Sequence, residues 1–287
     1  HVQLHPVVYN VGINPLFDFR YYKYPFDLQS ISNMPWHWKE AISSDLEKSN
    51  GDTAINLREL IINFYGETIY SQFYESYIQK WFGIKAEKID IVDWVRKIIR
   101  SVSDISPYYT EPSYFPVGVG YNNVFAELTK GVEVHLNTRM TYKDLPKDEI
   151  VVFTGAMDSL INSDTKLYVK GSFDIDSATY KENSPDTMIY PNHTPFTSIT
   201  QFGKFFPNYD KNIVLKEYHD DGDIFLYPRP TEKNRKEYIK IVDEYKNIIF
   251  AGRFGTWKFL DIDDCIKQTS QISAKIKSRR VKWLRKN

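Results

Sequence analysis

The segment that most restricts the fold lies near the C-terminus. Asn247-Ile-Ile-Phe-Ala251 reads as an apolar strand, Gly252-Arg-Phe-Gly255 follows as a glycine turn, and a helical pattern begins at about Asp261. A buried strand that turns into a helix N-terminus presents free backbone N–H groups and the positive end of the helix dipole, a geometry suited to an anionic or polar ligand. The plainer reading is a simple strand-to-helix connection. A related block stands earlier in the chain. A helix over Asn122 to Leu128 leads to an expected strand over Val132–Leu136, and Glu149-Ile-Val-Val-Phe153 is a second short strand that ends in Thr154-Gly155. Helix, strand, turn and strand together match part of a nucleotide-binding α/β layer.

The intervening sequence has other periods. Val7-Val8-Tyr9 and the alternating Phe17-Asp-Phe-Arg-Tyr21 read as strands. Residues 28 to 105 read as helical. Asn56 with Glu59 three residues on resembles a capping box. Leu57, Leu60, Ile61, Phe64, Phe73, Tyr77 and Trp81 fall largely on one helical face, with Gly66 placed to break the run in two. Residues 165 to 228 read as mostly β, with alternation over Ile213–Tyr218. A helix is expected over 231–246. The basic run from Lys275 to Lys286 has two readings, a contact with phosphates or an anionic surface and the plainer one of a solvated helix end favoured by the helix dipole.

Composition excludes several classes. Apolar residues make up 42% of the 287, enough for a sizeable core. Lys plus Arg and Asp plus Glu are both 37, so the basic excess of a dedicated nucleic-acid binder is missing. Cys265 is the single cysteine, which rules out a disulfide within the chain and a cysteine zinc site, and fits a reducing, cytoplasmic setting. The six histidines lack HxxxH or HExxH spacing, and no metal site is expected. No run approaches the ~18 apolar residues of a membrane span.

Six segments, in order, resemble the UDP-galactopyranose mutase family. Gly252-Arg253-Phe-Gly255-Thr-Trp-Lys-Phe259-Leu260-Asp261-Ile262-Asp263 resembles its flavin-contacting C-terminal motif. Tyr65-Gly66-Glu67 through Tyr77 resembles its substrate-side helix, and Thr154-Gly155-Ala-Met-Asp158 its mid-chain turn. Thr194-Pro-Phe-Thr-Ser198-Ile-Thr200 resembles its β-domain substrate segment. Lys216-Glu217-Tyr218 with Leu226-Tyr227-Pro228, and Tyr24-Pro-Phe-Asp-Leu28, complete the set. The resemblance covers nearly the whole chain.

It implies an α/β fold with an FAD/NAD(P)-binding Rossmann-like layer, incomplete at the N-terminus, a helical insertion and an antiparallel β-sheet substrate domain. The helical insertion would span 28–105, the sheet 1–27 with 160–230, and the Rossmann-like portion 116–159 with 231–287. It also implies reduced FAD as cofactor, a nucleotide-linked sugar as substrate, and interconversion of its pyranose and furanose forms. Arginines would stabilise the charge gathering on the departing diphosphate. A homo-oligomer is compatible with this reading, and neither nucleic acid nor a membrane span belongs to it.

Residue by residue, the resemblance gives Tyr77 the uridine-stacking role and Arg96 a diphosphate-binding, catalytic one, with Arg100 four residues on along the same helix face. Tyr108 and Tyr227 match diphosphate-binding tyrosines. Arg253 matches the catalytic arginine beside the flavin, and Gly252, Leu260, Asp261 and Ile262 belong to the cofactor-binding turn. Phe82 falls on the tryptophan near the uridine, with Trp81 one residue early, and Phe259 on a phosphate-binding tyrosine. Ser198 falls on the second diphosphate arginine, Ile78 on a threonine and Ile189 on an asparagine. A charge-assisted hydrogen bond that such a replacement cannot make is worth about 1.5–3 kcal/mol.

No GxGxxG occurs in the sequence. Gly118-Val-Gly120 is a partial echo at the family's later glycine turn. The chain opens on His1, where the family is already about a quarter done, and reads as an excerpt or a shortened relative. FAD binding by this chain alone is therefore expected to be weak. The alternative reading is a non-catalytic sugar-nucleotide binder or structural relative that has lost flavin chemistry. A third is a flavin oxidoreductase of the amine-oxidase-like group.

Overall fold

The structure is a computed structural model of the chain. It describes residues 4–7, 11–13, 20–48, 53–93, 95, 113–116, 120–180, 184–191, 194–205, 210, 212–219 and 222–284.

The helical layer begins with α1 (Leu28–Ser32) and α2 (Trp36–Glu47), followed by α3 (Leu57–Ile69) and α4 (Glu75–Phe82), which a π-helical turn over Tyr70–Tyr74 joins. The α3 start is capped as its sequence suggests. Asn56 Oδ1 accepts from the Glu59 amide at 3.0 Å, while Glu59 Oε2 accepts from the amide of Ile55 at 2.9 Å, one residue before the usual capping-box donor. Gly66 breaks the run with a φ of +85°. A Cβ there would meet Asp45 Cβ at 2.5 Å. Asp45 Oδ2 accepts from both the Thr68 amide, at 2.8 Å, and its hydroxyl, at 2.7 Å, which restarts the helix after the kink. Leu57, Leu60, Ile61, Phe73 and Tyr77 are buried together with Phe26 and Tyr65, and Phe64 and Trp81 pack at the margin. Gly83, left-handed at φ +69°, ends α4.

The strands are β1 (Leu4–Val7), β2 (Val11–Ile13), β3 (Tyr22–Lys23), β4 (Ser113–Pro116), β5 (Val151–Phe153), β6 (Tyr168–Ser177), β7 (Thr187–Ile189), β8 (Ser198–Thr200), β9 (Ile213–Tyr218), β10 (Ile224–Pro228) and β11 (Ile248–Phe250). Seven of them form one sheet in the order β10-β6-β9-β8-β7-β2-β3. Its pairs are antiparallel except β2 with β7, where Val11 faces Thr187 in parallel register. Within the expected strand at 17–21, residues 17–19 lie outside the described ones. Arg20 and Tyr21 belong to no strand, and the strand forms at Tyr22–Lys23. Val169, Ile189, Leu226 and Tyr227 from the sheet enter the same core as the helices, so the two layers share one interior.

A parallel pair, β5 with β11, forms the α/β portion, with Ile248 facing Val151 and Phe250 facing Phe153. After α5 (Gly120–Leu128), the chain supplies α6 (Met157–Ile161), α7 (Glu232–Glu244), α8 (Gly252–Gly255) and α9 (Ile262–Leu284). Met157, Leu160, Leu167, Tyr168, Ile241 and Ile248 make its core. Val132–Leu136, expected as a strand, is irregular. Alternation supplies only the side-chain half of a strand, and its backbone groups need a ladder. No strand among the described residues pairs with this one, and Val132, Val134 and Leu136 stand in solvent, Leu136 78% exposed. The basic C-terminal run is helical through Leu284. No helix among the described residues is long and apolar enough to cross a membrane.

Candidate active site

The glycine turn after β11 is held from several sides. Gly252 sits at φ +69°, and its amide donates to Gln268 Oε1 at 3.1 Å, so α9 itself takes an N–H that the sequence leaves open for a ligand. Gly255 lets α8 approach β5, since a Cβ there would come within 2.5 Å of the Phe153 carbonyl oxygen. Arg253 then crosses the turn. Its Nε donates to the Leu260 carbonyl at 2.8 Å and Nη1 to the Leu226 carbonyl at 3.2 Å, while Asp261 Oδ1 lies 3.7 Å from Nη2. The guanidinium carbon lies 4.4 Å from the Phe259 ring centroid, a cation–π contact.

From Phe259 an aromatic series runs to the helical layer. Phe259 and Tyr227 have centroids 5.9 Å apart. Tyr227 meets Phe82 at 6.0 Å and Trp81, edge-on, at 5.7 Å. Trp81 stacks on Tyr77 at 5.3 Å and lies nearly parallel to the His219 ring at 6.4 Å. The geometry depends on local structure. Tyr77 and Trp81 are four residues apart on α4 and share a face, Tyr227 lies in the buried C-terminal part of β10, and Phe259 follows the Arg253 turn.

A polar group lies beneath these rings. Ser198 Oγ donates to Glu217 Oε2 at 3.0 Å, Glu217 Oε1 lies 2.9 Å from His219 Nε2, and the Tyr227 hydroxyl lies 3.0 Å from Nε2 and 3.2 Å from Nδ1 of the same imidazole. The His219 side chain is 3% exposed. Burial pushes the Glu217 carboxyl up, but the hydrogen bond and charge of His219 and the Ser198 hydroxyl outweigh it and leave Glu217 below its ordinary value. Burial, with Glu217 and Tyr77 nearby, pushes the Tyr227 phenol well above its ordinary value against the pull of Arg229 and Arg253, so it stays protonated at neutral pH.

The structure thus brings Tyr77, Phe82, Tyr227, Phe259 and Arg253 together. Leu260 joins through its carbonyl, and Asp261 and Ile262 are exposed at the rim. Arg96, Arg100 and Tyr108 lie outside the described residues. Asp261, Asp263 and Asp264 cluster at the start of α9 with Lys267 reaching both Asp263 and Asp264, the expected placement of acids at a helix N-terminus. Sequence reasoning did not single out the Glu217–His219 pair. Its signal was the two-residue spacing at the end of a strand, which sends both side chains to one face.

The model of the UDP-galactopyranose mutase family matches residues 72–259. The chain is 26% identical over 280 residues to the dTDP-fucopyranose mutase of Escherichia coli, covering 88% of this chain and 73% of that protein. It is 21% identical over 241 residues to a probable UDP-galactopyranose mutase of Klebsiella pneumoniae, covering 78% of this chain and 62% of that one. Its fold matches a crystal structure of reduced UDP-galactopyranose mutase with a TM-score of 0.67 at 14% identity, over 89% of this chain and 75% of that chain. A putative protoporphyrinogen oxidase from Exiguobacterium sp. 255-15 has the same fold at a TM-score of 0.61 and 11% identity, over 97% of this chain and 82% of the other. The match spans the helix that carries Tyr77 and Trp81, the Glu217 strand and the Arg253 turn, and with it the chain belongs to the UDP-galactopyranose mutase family.

Proposed function

We propose that this protein is a flavin-dependent mutase that interconverts the pyranose and furanose forms of a nucleotide-linked sugar, and that the described residues supply its substrate pocket and one wall of its flavin site. The observation that carries this reading is the unbroken series Tyr77–Trp81–Tyr227–Phe259–Arg253, which joins the helical layer to the glycine turn.

The turn fits one end of a flat, polar-edged cofactor. Gly252 and Gly255 leave the backbone without side chains where α8 meets β5, and Arg253 is fixed by two carbonyls with the rest of its guanidinium fork unused by them. Gly252, Arg253, Leu260, Asp261 and Ile262 would hold this end. FAD, bound and reduced, supplies an electron-rich nitrogen able to attack the sugar's anomeric carbon. The protein's own part is binding and charge. Tyr77 and Trp81 offer a stacking face for a nucleobase. The protonated Tyr227 hydroxyl is a donor suited to a diphosphate oxygen, and Arg253, with Arg96, to which the family resemblance gives a diphosphate-binding role, offers positive charge where the diphosphate departs. The enclosing aromatic side chains exclude water from the reacting carbon. The lone Cys265 suits a reducing cytoplasm.

The test uses the full-length protein with FAD, chemically reduced, and separately UDP-galactose and dTDP-fucose, with pyranose and furanose forms resolved by chromatography. Conversion of either sugar nucleotide, dependent on reduced flavin, is the expected result. A colourless protein that binds the nucleotides without converting them would replace the enzyme with a binder.

A further inference from the structure

We propose that the basic half of α9 is a docking surface for an anionic phospholipid bilayer: from Ile272 to Leu284 the helix lies along the headgroups, with its lysines and arginines on the lipid phosphates and its apolar stripe at the acyl boundary. Nothing in this depends on the nucleotide-sugar pocket.

Charge in this chain is segregated. All 37 acidic residues stand at or before Asp264, whereas eight of the 37 basic ones follow it. Residues 265–287 therefore carry a formal +8 and residues 1–264 a formal −8, an asymmetry that the net charge of zero conceals. Such a molecule feels little net pull from an anionic surface but is turned so that its basic end leads. Seven of the eight basic residues lie from Lys275 to Lys286, a cluster of the size that binds acidic lipids from an amphipathic helix. The helix dipole accounts for only part of this run. Its effect fades beyond the last turn, and Lys275 and Lys277 stand about two turns before the helix ends at Leu284. No acid lies within four residues of either, so no helical ion pair neutralises them, and both are exposed.

The same helix carries an apolar stripe. Positions Ile272, Ile276 and Trp283 recur at intervals of four and seven and share one face, and Lys275, Arg279 and Lys282, at intervals of four and three, occupy the neighbouring one. Like charges at those intervals weaken a helix in water, and an anionic surface relieves the repulsion. No described side chain of α9 belongs to any of the hydrophobic cores. Ile272 and Ile276 are only half-buried. The helix is tied to the body near its start, where Gln268 accepts from the Gly252 amide at 3.1 Å. A nucleic-acid backbone would take the positive charges but offers nothing to the isoleucines and the tryptophan. A bilayer takes both, with phosphates for the cations and the boundary between headgroups and acyl chains for the apolar side chains, the level at which tryptophan is favoured.

The experiment sediments the full-length protein with vesicles of phosphatidylcholine alone and of phosphatidylcholine with about one-third phosphatidylserine, in low salt and in about 0.5 M salt. The variants are the triple change Lys275→Gln, Arg279→Gln and Lys282→Gln, and the single change Trp283→Ala, with circular dichroism to confirm that each folds. Wild type should bind the acidic vesicles and not the neutral ones, and should release them in high salt. The triple variant should bind about a hundredfold less tightly, about fivefold for each charge removed, and Trp283→Ala about tenfold less tightly. Wild-type protein that ignores acidic vesicles, or binds neutral ones equally well, overturns the proposal without any variant. A triple variant that binds as wild type does overturns it by placing the lipid contact elsewhere. If Trp283→Ala binds as wild type does and a short DNA duplex binds more tightly than the acidic vesicles, the run is a nucleic-acid contact, and the bilayer proposal falls.

Discussion

The guanidinium carbon of Arg253 sits 4.4 Å above the Phe259 ring, with Nε on the carbonyl of Leu260, the next residue. Arginine and ring therefore close the turn between α8 and α9 as one unit. Replacing Phe259 with Leu keeps apolar bulk and removes the π face. A stability loss of about 0.5–2 kcal/mol is expected in urea unfolding, and no measurable loss would mean that the contact is incidental.

Phe259→Tyr should act in the opposite sense on ligand binding. The resemblance places a phosphate-binding hydroxyl here, and a phenyl ring has none to offer. Tyr227 lies 5.9 Å away, ring to ring, so the new hydroxyl would join an existing donor. UDP affinity measured by calorimetry should rise about tenfold, as one charge-assisted hydrogen bond predicts. Unchanged affinity would remove Phe259 from the diphosphate site.

Lys80 ties α4 to the β-domain. Its Nζ donates to the Tyr190 carbonyl at 2.7 Å and the Phe196 carbonyl at 3.1 Å. Burial lowers its pKa from 10.5 to about 8. Between those values the unfolded chain holds a proton that the folded one lacks, so this group makes stability rise with pH from about 8 towards 10.5. Lys80→Met should abolish that rise and, by taking a donor from the part-buried carbonyls of Tyr190 and Phe196, the second of which still accepts from the Thr194 hydroxyl, cost about 1 kcal/mol at pH 7. Urea titrations at pH 7, 9 and 10 check both parts, and parallel pH profiles for the two proteins would contradict the buried-lysine account.

What could be read from the sequence was local. Asn56 and Glu59 mark the start of α3 because a cap is decided within one turn of chain, and Gly66 marks its break because no side chain tolerates that backbone easily. The alternation over Ile213–Tyr218 gives β9 with its bounds unchanged. Val132–Leu136 has the same kind of pattern and forms no strand, because pairing is a property of two segments and one sequence shows only one of them. Tyr77, Tyr227, Phe259 and Arg253 stand out through collinear motifs, and they meet because three elements converge. His219 does not, since its meaning depends on Glu217, Tyr227 and Trp81 arriving from three elements at once.

Gly171 tests the sheet itself. It lies on β6 between β9 and β10, and a Cβ there would stand 2.2 Å from the Tyr218 carbonyl oxygen and 2.7 Å from Leu226 Cδ1. The oxygen belongs to backbone and cannot swing aside. Gly171→Ala should therefore cost about 1–3 kcal/mol and, by moving Leu226, disturb the neighbouring Tyr227. Calorimetric melting gives the first effect and nucleotide affinity the second. A variant as stable as wild type would show that β6 and β9 separate more easily than their register implies.

Residues 1–287 by themselves should bind FAD weakly. Parallel strands are ordinarily covered on both faces, yet β5 and β11 form only a pair among the described residues, and Phe125, Leu128, Val132, Val134 and Leu136, nearby in sequence to β5, are exposed apolar side chains. The chain spans 73% of the E. coli mutase and 75% of the crystallised reduced mutase, and no GxGxxG stands in its sequence to cradle a pyrophosphate at a helix N-terminus. On the function proposed above, the Arg253 turn would meet one end of the cofactor, and the sequence offers no GxGxxG turn for the diphosphate, where most of the charge lies. A hydrophobic dye should bind this chain, and Leu136→Ser with Val134→Ser should reduce its fluorescence. Isothermal titration should give an FAD dissociation constant weaker than about 1 μM, some 8 kcal/mol of binding free energy. Tighter binding by residues 1–287 would show that the phosphates are held by a device other than a glycine-rich turn, and would direct the search to the segment between Val95 and Ser113.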